Sequence, residues 1–146
     1  AYLYLCYFIH IVCVSKQIRL SDEDRQGEPC GKQQGLLMNW IPLTTEDQLK
    51  TIKETSETGT VVIFKHSTRC SISAVAKSRL DRAEAPENMT FYYLDLIKYR
   101  KISDEIAVTF GVEHESPQVL LIKNGKCVYD ESHSAIIMDE LVSHAN

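Results

Sequence analysis

The sequence lacks both glycine-rich motifs that cradle nucleotide phosphates, G-x-x-x-x-G-K-[ST] and G-x-G-x-x-G, so nothing in it favours a nucleotide-binding fold. It also lacks an excess of basic residues, and its net charge of -4 argues against nucleic acid or an anionic membrane as a partner. The His and Cys residues show no zinc-ligand spacing, so we expect no metal. The five cysteines are scattered and odd in number, which argues against a disulfide framework and favours reduced thiols in the cytoplasm.

Residues 1–37 differ in composition from the rest of the chain. The apolar run at residues 1–14 is short for a membrane span and lacks the basic flank and cleavage site of a signal peptide. The polar stretch SDEDRQGEPCGKQQG that follows is aperiodic, which predicts disorder. Codons for Gln34-Gly35 can hold a ribosome-binding sequence just before Met38. We therefore predict that residues 1–37 are a non-native or disordered leader, the alternative being a real membrane anchor or export signal.

A domain with alternating helices and strands is predicted over residues 38–146. Helices are expected at 46–56, starting at a Thr45–Gln48 capping box, from Ser71 towards Pro86, from an N-cap at Ser103 to Phe110, and around 136–142. Strands are expected at 60–65, 90–96, 118–123 and 126–130. A right-handed crossover makes the first two strands parallel, and Asn124-Gly125 is a strong hairpin signal. The sequence thus predicts an α/β fold with a central mixed four-stranded sheet flanked by helices.

The helix that begins at Ser71 carries apolar residues at helical spacing. They are expected to form one buried stripe. The stripe consists of Ile72, Val75, Ala76, Leu80 and Ala83.

One cysteine, in the stretch HSTRCSIS, lies between a buried strand and this helix. Cys70 is the candidate nucleophile, because unsatisfied amides and the dipole at a helix N-terminus favour the thiolate that attacks disulfides. Arg69 and Lys77 add positive charge nearby, and Lys65 and Arg69 could attract an anionic thiol substrate. The alternative for Cys70 is a buried, inert cysteine.

A serine occupies the position three residues after Cys70, where a dithiol enzyme has its second cysteine. The Ser73 hydroxyl could donate a hydrogen bond to the Cys70 thiolate, or it could have no role beyond filling a helix face. In either case Ser73 cannot resolve a mixed disulfide. Thr68 is also grouped with the residues that could support the thiolate, although we favour helix capping for both Thr68 and Ser67.

The order of elements, the cysteine after the first strand and a proline before the final hairpin resemble the thioredoxin fold. Three segments, FKHSTRCSIS, EIAVTFGVEHESPQVLLIKNG and DESHSAI, resemble the bacillithiol-system redox-active proteins, the YtxJ-like monothiol bacilliredoxins. The resemblance covers nearly all of residues 38–146. Two residues depart from the family pattern: Ser71 stands where many members have proline, and Cys127, expected in the core, is not a family feature.

The resemblance implies a monothiol thiol–disulfide oxidoreductase. Cys70 would attack the bacillithiol sulfur of bacillithiolated or otherwise oxidised cytosolic proteins, and a second bacillithiol or another reductase would release it. Bacillithiol is then the low-molecular-weight thiol co-substrate. The family resemblance also implies a cis peptide between Ser116 and Pro117, with the Ser116 backbone in the substrate groove; the alternative is a trans proline that begins a strand. His114 and His133 are further candidates to line that groove.

Two other functions remain open for the same cysteine. One is a thiol-based redox sensor, in which Cys70 is oxidised to sulfenic acid and capped without turnover. The other is a monothiol module that binds an iron–sulfur cluster, although C-S-I-S lacks the glycine of the C-G-F-S loop.

Overall fold

Helices and strands alternate along residues 38–146, the part of the chain that the computed structural model describes. The elements are β1 Trp40–Pro42, α1 Asp47–Thr55, β2 Thr60–His66, α2 Ser71–Asp81, β3 Met89–Asp95, α3 Arg100–Phe110, β4 Gln118–Lys123, β5 Lys126–Ser132 and α4 Met138–Ala145, with a 3-10 turn at His133–Ala135. The prediction of a leader at residues 1–37, and with it the membrane-anchor alternative, lies outside the described residues. Within 38–146, no helix has both the length and the apolar character that crossing a bilayer requires.

The strands form one mixed sheet in the order β1-β3-β2-β4-β5. Both β1 and β2 run parallel to β3, β4 runs antiparallel to β2, and β5 runs antiparallel to β4. Asn124 and Gly125 connect β4 to β5 with φ angles of 51° and 71°, the positive values that a tight hairpin turn requires. The predicted parallel pair and hairpin are therefore confirmed.

The sheet has five strands within residues 38–146, so the prediction of four was wrong. The additional strand, β1, is three residues long and ends in Pro42, so no periodicity in the sequence could reveal it. A side-chain contact holds it in place: the Trp40 indole N–H donates to Asp81 Oδ1 of α2 at 2.6 Å.

The sheet has a hydrophobic core on each face. Every residue of β2 is therefore buried, whichever face its side chain is on. Helices α1 and α3 cover one face, and α2 and α4 cover the other. The first core includes Leu49, Ile52, Val61, Ile63, Ile102 and Ile106. The second includes Val62, Phe64, Ala76, Leu80, Met138 and Leu141.

The predicted buried stripe of α2 is confirmed for Ala76 and Leu80, with Ala83 partly buried against the same core, and it was wrong for Ile72 and Val75. Ile72 and Val75 are 50% and 56% exposed, and the residues that α2 buries are Ser73, Ala76 and Leu80. The helix is rotated relative to the expectation because Ser73 finds hydrogen-bond partners in the interior, and a polar residue was not counted as a core residue. Helix α2 also ends at Asp81, earlier than Pro86 suggested.

Three helix ends predicted for α1 and α3 can be compared with the structure. Helix α3 starts at Arg100, so the N-cap prediction for Ser103 was wrong; Ser103 is fully buried in the second turn of α3. Its predicted C-cap is confirmed, since Gly111 has a left-handed φ of 65°. In α1, Gln48 Oε1 accepts the Thr45 backbone N–H at 3.0 Å, one half of the expected capping box.

Candidate active site

Cys70 lies at the junction of the β2–α2 loop and the 11-residue helix α2. It is the N-cap residue, with extended backbone angles (φ −107°, ψ 121°), and its carbonyl accepts the Ala74 N–H at 3.1 Å. Its own N–H donates to the Ser67 carbonyl at 3.1 Å, which closes the loop into a turn. The thiol is free and half-buried. Cys70 therefore lies at a helix N-terminus, beyond the C-terminal end of the central strand β2.

Thr68, Arg69 and Ser67 precede this N-cap. Because Cys70 itself is the N-cap of α2 and no side chain caps the helix, the capping prediction for Thr68 and Ser67 was wrong. Thr68 and Arg69 are exposed next to Cys70, so any support they give to the thiolate comes from charge and polarity at the surface.

Ser73 is fully buried one turn into α2. Its hydroxyl accepts the Ser67 backbone N–H at 3.0 Å and lies 2.7 Å from His66 Nδ1. Burial, and to a smaller extent Lys77, lowers the pKa of His66, which favours the neutral ring. The hydroxyl is engaged with β2 and the loop, and the suggested hydrogen bond to Cys70 stays a prediction.

The two lysines considered for the site differ in their surroundings. Lys65 was expected to attract an anionic thiol substrate at the surface. This expectation was wrong, because Lys65 has 0% exposure and its amine faces His114 and Gln118. Lys77 is paired with Asp81 at 2.7 Å and lies 5.5 Å from the Trp40 ring centroid. Arg69 is left as the exposed basic side chain adjacent to Cys70.

The Ser116–Pro117 peptide bond is cis, as the resemblance implied. Residue Gln118 pairs with Lys65 in the antiparallel β4–β2 ladder, so the register continues Ser116 and Pro117 past the end of β2, towards the loop that carries Cys70. The Pro117 carbonyl accepts the His133 N–H at 3.0 Å, which brings the start of the 3-10 turn to the same place. Ser116 Oγ is buried without a hydrogen-bond partner among the described residues.

An apolar groove of about 250 Å³ runs along α2 from the residue after Cys70. Its lining residues are Ser71, Ile72, Val75, Ala76, Arg79, His133 and Ser134. Arg79 holds the segment after β5 against α2, because its Nη1 donates to the carbonyls of Ser134 and Ile136 at 2.8 and 3.0 Å. His133 adopts a positive φ of 58°, uncommon for a residue other than glycine. The candidate His133 therefore does lie in this groove.

His114 lies on the other face of the sheet. Its Nδ1 is 2.9 Å from Lys65 Nζ and 3.2 Å from Ser103 Oγ. Burial, then the Lys65 charge, lowers its pKa. His114 therefore lies under the segment before Pro117, and it does not belong to the apolar groove.

Cys127 is distant from Cys70. It pairs with Ile122, which pairs with Val61 near the start of β2, whereas Cys70 follows the other end of that strand. The thiol is free and packs against the core under α1 and α3, as expected. Burial raises its pKa to about 11. Cys70 is therefore the described cysteine that is placed for thiol chemistry.

The sequence did not single out Arg79 or Gln118, or the exposed Ile72–Val75 pair as part of the site. Arg79 contacts backbone carbonyls 55 and 57 positions away, and Gln118 joins the nearby backbone of residues 113 and 115 to the distant Lys65 side chain; no motif exists for either arrangement. The one feature of the sequence that could have indicated the exposure of Ile72 and Val75 is Ser73, the serine that α2 buries in their place. No group of three or more His, Cys, Asp or Glu side chains in residues 38–146 is arranged to hold a metal ion.

Comparison with known proteins identifies the family and the fold. The family model of the monothiol bacilliredoxin BrxC matches residues 41–141. A solved structure of a candidate oxidoreductase with a thioredoxin fold is 33% identical, covers 73% of this chain and 94% of its own, and has a TM-score of 0.65. Thioredoxin from Malassezia sympodialis, at 18% identity, covers 75% of this chain and 93% of its own, with a TM-score of 0.60. The values for Fasciola hepatica thioredoxin are 18%, 72%, 98% and 0.58. The predicted thioredoxin-like fold is confirmed.

Proposed function

The chain belongs to the monothiol bacilliredoxin family, and from that membership we propose that it is an oxidoreductase that removes bacillithiol from mixed disulfides on cytoplasmic proteins. One observation carries the proposal. The half-exposed thiol of the N-cap residue Cys70 lies at the N-terminus of an 11-residue helix, the sheet register directs the cis Ser116–Pro117 bond towards the same loop, and a buried serine hydroxyl lies where a second thiol would be.

In the proposed reaction the Cys70 thiolate attacks the bacillithiol sulfur of the mixed disulfide. A disulfide forms between Cys70 and bacillithiol as the original disulfide breaks, and the target cysteine leaves as a thiolate that takes a proton from water. A second bacillithiol thiolate then attacks the bound bacillithiol sulfur, which frees Cys70 and yields the symmetric disulfide of the small thiol. Ser73 has no sulfur to take part, and Cys127, on β5, is level with the opposite end of β2, so the second thiol comes from outside the protein.

The groove beside Cys70 supports a protein as the thiolated partner. Ile72 and Val75 are half-exposed on the outer face of α2, and an apolar wall next to a reactive sulfur suits an apolar side chain of a protein. The Ser116–Pro117 segment, which the sheet register directs towards the same loop, supplies backbone groups for a second contact. We place the target protein chain across these two surfaces.

Incubation with a purified bacillithiolated protein tests the proposal. Wild type and the matched variant Cys127→Ser should release bacillithiol, whereas Cys70→Ala should not, and mass spectrometry should find the bacillithiol adduct on Cys70. A parallel arm with the glutathione mixed disulfide of the same protein measures the preference for the small thiol. Equally slow release by wild type and Cys70→Ala would contradict the proposed function.

A further inference from the structure

The amine of Lys65 is an unusual buried group. Lys65 is 0% exposed near the end of β2, and none of the ion pairs found among the described residues includes it. Its Nζ lies 2.9 Å from His114 Nδ1 and 2.8 Å from Gln118 Oε1. Because the desolvation of an ammonium is costly, stability alone would favour an apolar side chain here. The contacts of the amine therefore need an explanation.

Those contacts lead to the segment before the cis proline. Gln118 Nε2 donates to the Glu113 carbonyl at 2.9 Å and to Asp130 Oδ2 at 3.2 Å. Gln118 Oε1, which accepts from Lys65, also accepts the Glu115 N–H at 3.3 Å. Three consecutive residues, 113–115, are thus tied to the sheet by one lysine and one glutamine.

Residues 112–117, which we call the 112–117 loop, have neither helix nor strand structure. At one end the Pro117 carbonyl accepts the His133 N–H. On the side of β2, the network of Lys65 and Gln118 supplies the hydrogen bonds to its middle. The position of Ser116 therefore depends on the Lys65–Gln118 network, which lies on the face of the sheet opposite to α2.

We infer that Lys65 is a positioning residue, whose buried amine holds the 112–117 loop, and with it Ser116, in place next to Cys70. The inference deepens the proposed function and rests on it for the effect on substrate. The charged and titratable groups around the amine are Arg100 and Asp104 of α3, Asp130 of β5, and His114 and Glu115 of the loop. Burial, and then Arg100, lowers the pKa of Lys65 to about 8, and the amine has N–H groups to donate whether it is protonated or neutral.

The test compares Lys65→Met with Lys123→Met. Methionine keeps the length and the apolar stem of lysine and removes the amine. Lys123 is a matched control, because it lies at the other end of β4, where its amine donates to the Ala145 carbonyl at 2.7 Å. Gln118→Met provides a second variant that removes the other half of the network.

Amide hydrogen exchange by mass spectrometry is the readout that needs no turnover. In Lys65→Met and Gln118→Met, the Glu115 amide, whose N–H donates to Gln118 Oε1, should exchange about tenfold faster, the factor expected for the loss of a hydrogen bond or two. Lys123→Met should leave the exchange of this amide unchanged. Unchanged exchange of the Glu115 amide in Lys65→Met, or an equal increase in Lys123→Met, would overturn the inference.

Kinetics then separates positioning from the chemistry of the thiol. Lys65→Met should raise KM for a bacillithiolated protein about tenfold, with the rate of Cys70 alkylation and the kcat for a small mixed disulfide unchanged. A loss of kcat on both substrates would contradict a positioning role. If the wild-type protein turns over no mixed disulfide, the proposed function fails, and the exchange result alone decides the role of Lys65.

Discussion

The hydroxyl of Ser73 lies 2.7 Å from Nδ1 of His66, in the interior beneath the loop that carries Cys70. The same hydroxyl oxygen accepts the Ser67 N–H at 3.0 Å. The Ser73 hydroxyl thus bridges the Ser67 N–H and the His66 ring. The residue that replaces a second thiol therefore joins the start of α2 to the end of β2.

Removal of this hydroxyl should destabilise the protein. Ser73→Ala leaves the Ser67 N–H and His66 Nδ1 without partners, and we expect the free energy of unfolding to fall by about 1–3 kcal/mol. Ser78→Ala, an exposed serine of the same helix, is the control and should change it by less than about 0.5 kcal/mol. Urea unfolding of both variants measures the difference. Equal effects of the two substitutions would refute a special role of the Ser73 hydroxyl.

Acid should weaken the same contact. Burial lowers the pKa of His66 below 6.5. Between pH 6.5 and this lowered pKa, the unfolded chain therefore binds more protons than the native state. The contribution of His66 to stability is therefore fully present above pH 6.5 and is lost as the pH falls through the native pKa. His114 acts in the same direction, since its pKa is also lowered by burial.

We therefore expect the unfolding free energy to decrease on acidification below pH 6.5, with a smaller slope in His66→Gln than in wild type. Denaturant titrations at a series of pH values measure this slope. A slope that His66→Gln does not reduce would exclude His66 as its source.

The sequence was sufficient for elements with a clear local signal. The unbroken apolar run before Cys70 and the change to helical spacing after it placed the cysteine at a strand-to-helix junction, and Asn124-Gly125 placed the hairpin. These features arise from residues that are adjacent in the chain. They include the position of Cys70 and the overall order of the elements.

Features set by contacts distant in sequence were not predictable. Strand β1 is fixed by the contact between Trp40 and Asp81, 41 residues apart. Lys65 looked like a surface residue at a strand end, but partners 49 and 53 positions away allow its amine to be buried. The rotation of α2 follows from the two hydrogen bonds of Ser73, which no hydrophobic pattern records.

The two described cysteines should differ in reactivity. Burial raises the pKa of Cys127 to about 11, so at pH 8 only about one thiol in a thousand is ionised. With iodoacetamide, we expect Cys70 to be alkylated at least about 100-fold faster than Cys127 in the folded protein. Peptide mapping after timed quenching distinguishes the cysteines, and unfolding in urea should remove most of the difference. Comparable rates in the folded state would show that Cys127 is accessible.

The exposed apolar pair on α2 should matter for a protein substrate and not for a small one. Ile72→Ser or Val75→Ser removes half-exposed apolar surface next to Cys70, and we expect KM for a thiolated protein to rise about fivefold, equivalent to about 1 kcal/mol of lost burial. Val108→Ser is the matched control, because Val108 is 79% exposed on α3, on the other face of the sheet. Steady-state kinetics with a bacillithiolated protein and with a small mixed disulfide separates the two effects. If Val108→Ser raised KM as much, or if Ile72→Ser slowed both substrates equally, the groove along α2 would not be the surface that holds the target protein.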